Sequence, residues 1–141
     1  MQKYIGCKLV EAAPKKKDGK EGYTVKYQDG YTSWSPAEAF ERAYLVVNDN
    51  QNLPSGVSIG PEMVDNFIDR VETTTLGDCT TVVRCILANG FEIVESSSCV
   101  DPQNYDEKIG QEICIGKIKD KIWELLGFLL QTAWHGIKKE D

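Results

Sequence analysis

No stretch of the 141 residues approaches the roughly 20 consecutive apolar positions of a membrane-spanning helix. The longest apolar run, Leu125–Leu130, is broken by Gly127, and the opening Met1-Gln2-Lys3-Tyr4-Ile5-Gly6 has no apolar h-region. The sequence therefore predicts neither a membrane anchor nor a signal peptide. Basic residues are outnumbered, 16 Lys and Arg against 22 Asp and Glu, for a net charge of −6. That balance argues against a protein that coats duplex nucleic acid, which needs a basic stripe, but leaves room for a small anion in a local basic pocket. Histidine occurs once, as His135. The five cysteines, Cys7, Cys79, Cys85, Cys99 and Cys114, contain no Cys-x-x-Cys, so no structural zinc site is expected. Their odd number and irregular spacing point to reduced thiols filling a core in a cytosol.

Catalytic signatures are missing as well. There is no Gly-rich phosphate loop followed by Lys, no metal-binding His-Glu pair and no Gly-x-Ser-x-Gly elbow. A Cys–His nucleophilic pair would have to recruit His135 near the end of the chain. What is present is the composition of a globular domain, 41% hydrophobic and 27% charged, at a length that favours one domain.

The first third has the pattern of short strands. Tyr4, Cys7, Leu9 and Val10 form an apolar stretch ended by Pro14, and Lys15-Lys16-Lys17-Asp18-Gly19-Lys20 is a polar loop. Tyr23, Val25 and Tyr27 alternate with Thr24 and Lys26, the period-2 mark of a half-buried strand. Asp29-Gly30 predicts a hairpin returning through Tyr31-Thr32-Ser33-Trp34. Ser35-Pro36-Ala37-Glu38 predicts a helix start, with Ser35 as cap, running to about Tyr44. Residues 48–60 are rich in turn formers and are the candidate linker, followed by one or two helical turns from Pro61 to about Phe67.

The middle predicts three strands, Arg70–Leu76, Cys79–Ala88 and Phe91–Ser98, joined by Gly77-Asp78 and Asn89-Gly90. A two-residue type I′ turn at Asn89-Gly90 sets Ala88 opposite Phe91, Ile86 opposite Ile93 and Arg84 opposite Glu95. An opposite-charge pair directly across two strands, worth about 0.2–1 kcal/mol, supports that register. From about Asn104 to Trp134 the pattern is helical, with Asn104 able to cap and Ile109, Ile113, Ile118, Ile122, Leu125 and Leu129 covering one face. A helix of that length spans about 45 Å, long for so small a domain. Its apolar face continues through Trp123 and Phe128, which predicts packing against a second copy. The expectation is a single α+β domain over 1–141: an antiparallel β-sheet with hairpins, a short helix, and a long C-terminal helix at a dimer interface. Within it, 1–47 is a strand and helix module, 48–60 a linker, 61–134 hairpins plus long helix, and 135–141 a tail.

Carboxylates crowd the region after the middle hairpin: Glu92, Glu95, Asp101, Asp106 and Glu107. An acid–base pair could be built from them, but a strand ion pair, an Asp before proline and helix-cap charges account for them more simply. A second constellation is Asn89, Phe91, Glu95, Ser96 to Ser98, Asp101 and Asn104, with Arg84 and Lys117 as sources of positive charge. An aromatic ring stacks on a base, Asn and Asp side chains read polar edges or ribose hydroxyls, and serines at a helix start donate to phosphate. Each also has a plain structural role. Phe91 can be core, Asn89 a turn residue, Ser97 a solvated strand position and Asn104 a cap.

The run Asn89-Gly90-Phe91-Glu92-Ile93-Val94-Glu95-Ser96-Ser97-Ser98-Cys99-Val100-Asp101-Pro102-Gln103-Asn104-Tyr105-Asp106, continued by Lys121-Ile122-Trp123-Glu124-Leu125-Leu126-Gly127-Phe128-Leu129-Leu130, resembles a family of small tailed-phage and prophage proteins, the first type of phage anti-Thoeris protein. The resemblance covers roughly residues 60–134. The segment from Tyr4-Ile5-Gly6-Cys7-Lys8 to Trp34-Ser35-Pro36 resembles a module found in many phage proteins. The resemblance implies a sponge, not an enzyme: a protein in the cytoplasm of a bacterial host that sequesters a cyclic ADP-ribose isomer without cleaving it. It further implies no cofactor, a homodimer or a hexamer, and a capacity of some members for cyclic oligonucleotides such as those of CBASS defence. Carried onto this chain, it makes Phe91 the base-stacking residue. Asp101 and Asn104 become polar readers, Arg84 or Lys117 phosphate partners, and Asn89, Glu95 and Ser97 neighbours of the ligand. Two other classes compete with it: a phage interaction protein gripping a partner through the long helix, and a small hydrolase of nucleotide signals.

Overall fold

In the computed structural model, which describes residues 1–140, the chain divides into two units. One is Met1–Val46 together with the chain from Phe128 onward; the other is Val47–Gly127.

In the first unit, β1 (Glu11–Pro14), β2 (Gly22–Lys26) and β3 (Thr32–Pro36) form an antiparallel sheet in sequential order. β2 lies at its centre because its alternating Tyr23, Thr24 and Val25 suit a sheet with one covered face. Helix α1 (Ala37–Ala43) follows directly. Its expected cap is not made: Ser35 belongs to β3 and turns its hydroxyl to the Pro36 carbonyl at 3.2 Å, so the helix starts without a side-chain cap. Tyr23, Phe40 and Tyr44 stack in succession, with centroids 4.3 and 4.7 Å apart. The Trp34 Nε1–H donates to the Lys15 carbonyl at 2.8 Å. The apolar stretch that ends at Pro14 is strand only over its last four residues, β1, and residues 1–10 before it carry no strand. Instead Leu9 N–H donates to the carbonyl of Ala133, and Gln28 Nε2 to that of Trp134.

The second unit opens with β4 (Asn48–Asp49) and β5 (Val57–Ser58), a small hairpin inside the stretch expected as a linker, where Asn48 Nδ2 donates to Ser58 Oγ at 2.9 Å. After α2 (Pro61–Asn66) come β6 (Ile68–Leu76), β7 (Thr80–Leu87) and β8 (Glu92–Ser98), an antiparallel sheet in sequential order. A 3₁₀ turn, Pro102–Asn104, leads into α3 (Glu107–His135), whose last turns from Phe128 belong to the first unit.

The β7–β8 register is displaced by one residue from the expected one. Ile86 pairs with Glu92, Cys85 with Ile93, Arg84 with Val94 and Val83 with Glu95. The cause is the turn. Gly90 N–H donates to the Leu87 carbonyl at 2.8 Å, Leu87 N–H donates to Phe91 at 2.8 Å, and Gly90 alone has positive φ, +88°. The loop is therefore three residues, Ala88-Asn89-Gly90, with glycine at its left-handed position, because a type I′ turn would need positive φ at Asn89 too. A shift of one residue exchanges the faces of a strand. Ile93 thus joins Val83, Cys85 and Leu87 on the face that meets α3, and Arg84 lies on the other.

The α3 face is likewise narrower than expected. Gly110, Cys114, Ile118, Ile122 and Leu126 are buried, a strict four-residue spacing, while Ile109, Ile113, Leu125 and Leu129 remain exposed. The buried set packs with Met63, Val64, Val83, Cys85, Leu87 and Ile93 into one core. Each large side chain buried there contributes roughly 1.5–3 kcal/mol. Gly110 permits the closest approach, since a Cβ there would overlap the Thr81 side chain. α3 begins at Glu107 rather than Asn104, and Asp106 Oδ1 caps it, accepting from the N–H groups of Lys108 at 2.9 Å and Ile109 at 3.4 Å.

Candidate functional site

The β7–β8 turn presents Phe91. Asn89 Oδ1 accepts the Phe91 N–H at 3.0 Å, a local bond that fixes the loop and uses Asn89 as a turn residue. Phe91 follows the left-handed Gly90 and is 58% exposed, so its ring is not part of the core. Among the described residues no other aromatic ring stacks on it.

Beside it lies an open hollow of about 330 Å³, lined by Phe91, Glu92, Ile93 and Val94 from β8 and its approach, and by Lys121, Glu124 and Leu125 from α3. Three of these lie at i, i+3 and i+4 on one helix, the spacing that puts side chains on a common face. The lining combines the apolar Phe91, Ile93, Val94 and Leu125 with Lys121, Glu92 and Glu124. A flat apolar ring with polar edges fits such a surface: aromatic contact on one side, hydrogen bonds and a charge around it. Lys121, Glu124 and Leu125 are not among the site residues expected from sequence, although Leu125 is one of the apolar positions read there for the long helix.

The cations expected to hold phosphate are already engaged. Arg84 donates through one terminal nitrogen to Glu72 at 2.7 Å and through Nε to Glu92. These bonds, Glu92 first and Glu72 second, raise its pKa, and the same Arg84 bond holds the Glu92 carboxyl below its ordinary value. Lys117 Nζ donates to the Ser96 carbonyl at 2.8 Å. Glu95 does not meet Arg84; its carboxylate, only 17% exposed, pairs with Lys121. The cation nearest Phe91 in the hollow is therefore Lys121, shared with a carboxylate.

The remaining expected site residues sit at the other end of β8. Ser97 lies six positions beyond Phe91, about 20 Å of extended chain. Beyond Ser97, Asp101 Oδ1 accepts the Gln103 N–H at 2.9 Å and caps the 3₁₀ turn, and Asn104 N–H bonds to the Asp101 carbonyl at 2.9 Å. Within one chain the fold does not bring Asp101, Asn104 and Ser97 to Phe91. What gathers near that end is a polar layer between sheet and helix. Tyr105 Oη lies 2.6 Å from Thr75 Oγ1 and 3.0 Å from Thr81 Oγ1; Thr75 also donates to Glu107, and Gln111 Nε2 to Thr73. Every member has a partner, so the layer fixes the seating of α3 on the sheet.

No curated protein and no solved structure matched the chain. A family model did, over residues 59–134, which runs from the end of the small hairpin to the last turns of α3 and takes in Phe91, the hollow and the Asp101 turn. More than half of the chain is matched, and the chain belongs to the Phage protein (N4 Gp49/phage Sf6 gene 66) family.

Proposed function

We propose that this phage protein sequesters a cyclic ADP-ribose immune signal, the messenger of Thoeris defence, and holds it intact. The observation that carries the reading is Phe91: an aromatic residue whose backbone is fixed by its turn, more than half exposed, lining a hollow together with Ile93, Leu125 and Lys121. A nucleobase is a flat partner for such a ring and stacks for about 1–3 kcal/mol. The sequence resemblance gives the class of ligand.

The separation along β8 gives this proposal a geometric consequence. Phe91 and the Asp101–Asn104 turn lie at opposite ends of a strand, so a complete pocket forms when two copies meet about a two-fold axis. The ring of one copy then faces the polar turn of its partner, and each dimer carries two equivalent sites. The exposed apolar residues Ile109, Ile113 and Leu125 of α3 and Val94 of β8 supply surface for that contact.

Calorimetry with a panel of cyclic ADP-ribose isomers tests the reading, followed by heat denaturation and analysis of the released nucleotide. The expected result is tight uptake and recovery of the unaltered compound. Conversion during incubation makes the protein a hydrolase, and no uptake of any isomer returns it to the class of partner-binding proteins. Phe91→Ala is expected to weaken uptake by about 5–150-fold, the equivalent of one base stack, with an unchanged unfolding midpoint. A variant that unfolds instead would place the ring in the protein's own packing.

A further inference from the structure

Two of the five thiols face each other across a strand pair. Continued one residue beyond Thr80↔Ser98, the β7–β8 register sets Cys79 opposite Cys99, and the Cys99 N–H donates to the Cys79 carbonyl at 2.9 Å. Hydrogen-bonded antiparallel partners have Cα atoms about 5.5 Å apart, inside the window of roughly 4.4–6.8 Å that a disulfide spans. Directly opposed residues also point to the same face of a sheet. Both thiols are free and partly exposed, and Cys99 Sγ lies 3.3 Å from the Asp101 carbonyl. Partial burial first, and then the hydrogen bond to Cys99, push the Cys79 thiol up.

The other three cysteines have different surroundings. Cys85 and Cys114 are fully buried in the core, where burial pushes both thiols up and denies access to reagents. Cys7 is exposed and belongs to the other unit. Proximity and access thus coincide at one pair.

We propose that Cys79 and Cys99 are a reversible redox pair, closed by a small-molecule disulfide such as glutathione disulfide. One thiolate attacks glutathione disulfide, forming a mixed disulfide and releasing a first glutathione. The second thiolate attacks the protein sulfur of that mixed disulfide and releases the second glutathione. Two cysteine thiols lose two electrons and two protons, and one glutathione disulfide becomes two glutathiones. The bond ties the exit of β8 to the start of β7. It thereby fixes the root of the segment that carries Asp101 and the 3₁₀ turn, independently of what that segment binds.

The full chain, incubated with excess glutathione disulfide, alkylated under native conditions and digested, tests this by mass spectrometry. The expected product is an intramolecular Cys79–Cys99 cross-linked peptide, lighter by two hydrogen atoms and lost on treatment with a dithiol reductant, with Cys85 and Cys114 unmodified. Cys99→Ser is expected to stop at a stable glutathione adduct on Cys79. If that variant fails to fold, Cys79→Ser is expected to give the matching adduct on Cys99. Separate glutathione adducts on the two cysteines of the native sequence, a cross-link between two chains, or no reaction at either thiol would each overturn the proposal.

Discussion

The same turn is used twice, once in each unit, with different consequences. In the first unit Gln28-Asp29-Gly30 joins β2 to β3: Gly30 N–H donates to the Tyr27 carbonyl, Gly30 has φ +91°, and Asp29 Oδ1 accepts the Tyr31 N–H. In the second, Ala88-Asn89-Gly90 repeats each of these bonds and ends on Phe91. Both loops deliver an exposed aromatic ring. Tyr31, however, stacks on Tyr27 at 5.8 Å, which carries Lys8 over its ring, whereas Phe91 opens onto a hollow. One ring has its partner inside the unit and the other does not. The lesson is that the local motif alone does not make a site; what surrounds its last residue does.

The two units also differ in what holds them. Val47–Gly127 rests on an aliphatic core crossed by α3, while among the described residues of the first unit Val25 is the buried hydrophobic one and stacked rings do the rest. The largest effect is therefore expected in the second unit. Ile118→Ala, at a position with no exposure, is expected to cost about 2–5 kcal/mol in urea unfolding, the transfer loss plus the cavity left behind. A loss under 1 kcal/mol would mean that the core closes over the gap, and the contrast between the units would weaken.

The sequence made part of this contrast legible. The hairpins, the short helix after Trp34, the helical turns from Pro61 and the long helix all lie close to where periodicity and turn residues put them. The failures share a cause: the competing patterns differ by one residue. Asn89-Gly90 is compatible with a two-residue or a three-residue loop, and only backbone φ distinguishes them; the choice moved Arg84 from Glu95 to Glu72 and Glu92. On α3 two apolar stripes run side by side. The buried one begins with Gly110 and Cys114, small residues that a search for large hydrophobics passes over, and Ile109 and Ile113 of its neighbour look equally good. Of the candidate site, Phe91 carried two readings in the sequence, core residue or stacking ring, and its exposure excludes the first. The constellation of Phe91 with Asp101 and Asn104 does not form within one chain, since residues near in sequence but at the two ends of an extended strand are far apart in space.

A smaller effect probes the first unit. If stacked rings hold it, Tyr23 and Phe40 are energetically coupled through their 4.3 Å contact. A double-mutant cycle with Tyr23→Ala and Phe40→Ala, read by thermal unfolding, is expected to give a coupling of about 0.5–1.5 kcal/mol. The cycle cancels the separate bond from the Tyr23 hydroxyl to Glu41 at 2.8 Å. Additive single effects would show that the rings are adjacent without supporting each other, and the first unit would need another source of order.

The smallest expected effect lies on the outer face of the second unit's sheet, where Arg84 bridges Glu72 and Glu92 in contact with water. The hydrogen bond from Arg84, and then its charge, hold the Glu92 carboxyl below its ordinary 4.5. Because the folded value is the lower one, the stabilisation is fully present above the unfolded value and is lost as the pH falls through the folded one. Arg84→Gln is expected to move the Glu92 titration, followed by carboxyl NMR, back up toward 4.5. It should also remove that part of the acid sensitivity of unfolding. The change in stability near neutral pH is expected to be slight and to shrink further in salt, since exposed pairs are screened. An unmoved Glu92 titration would mean that Arg84 is not committed to its carboxylates. It would then be free to take another anion, and the phosphate role expected from sequence would return to it.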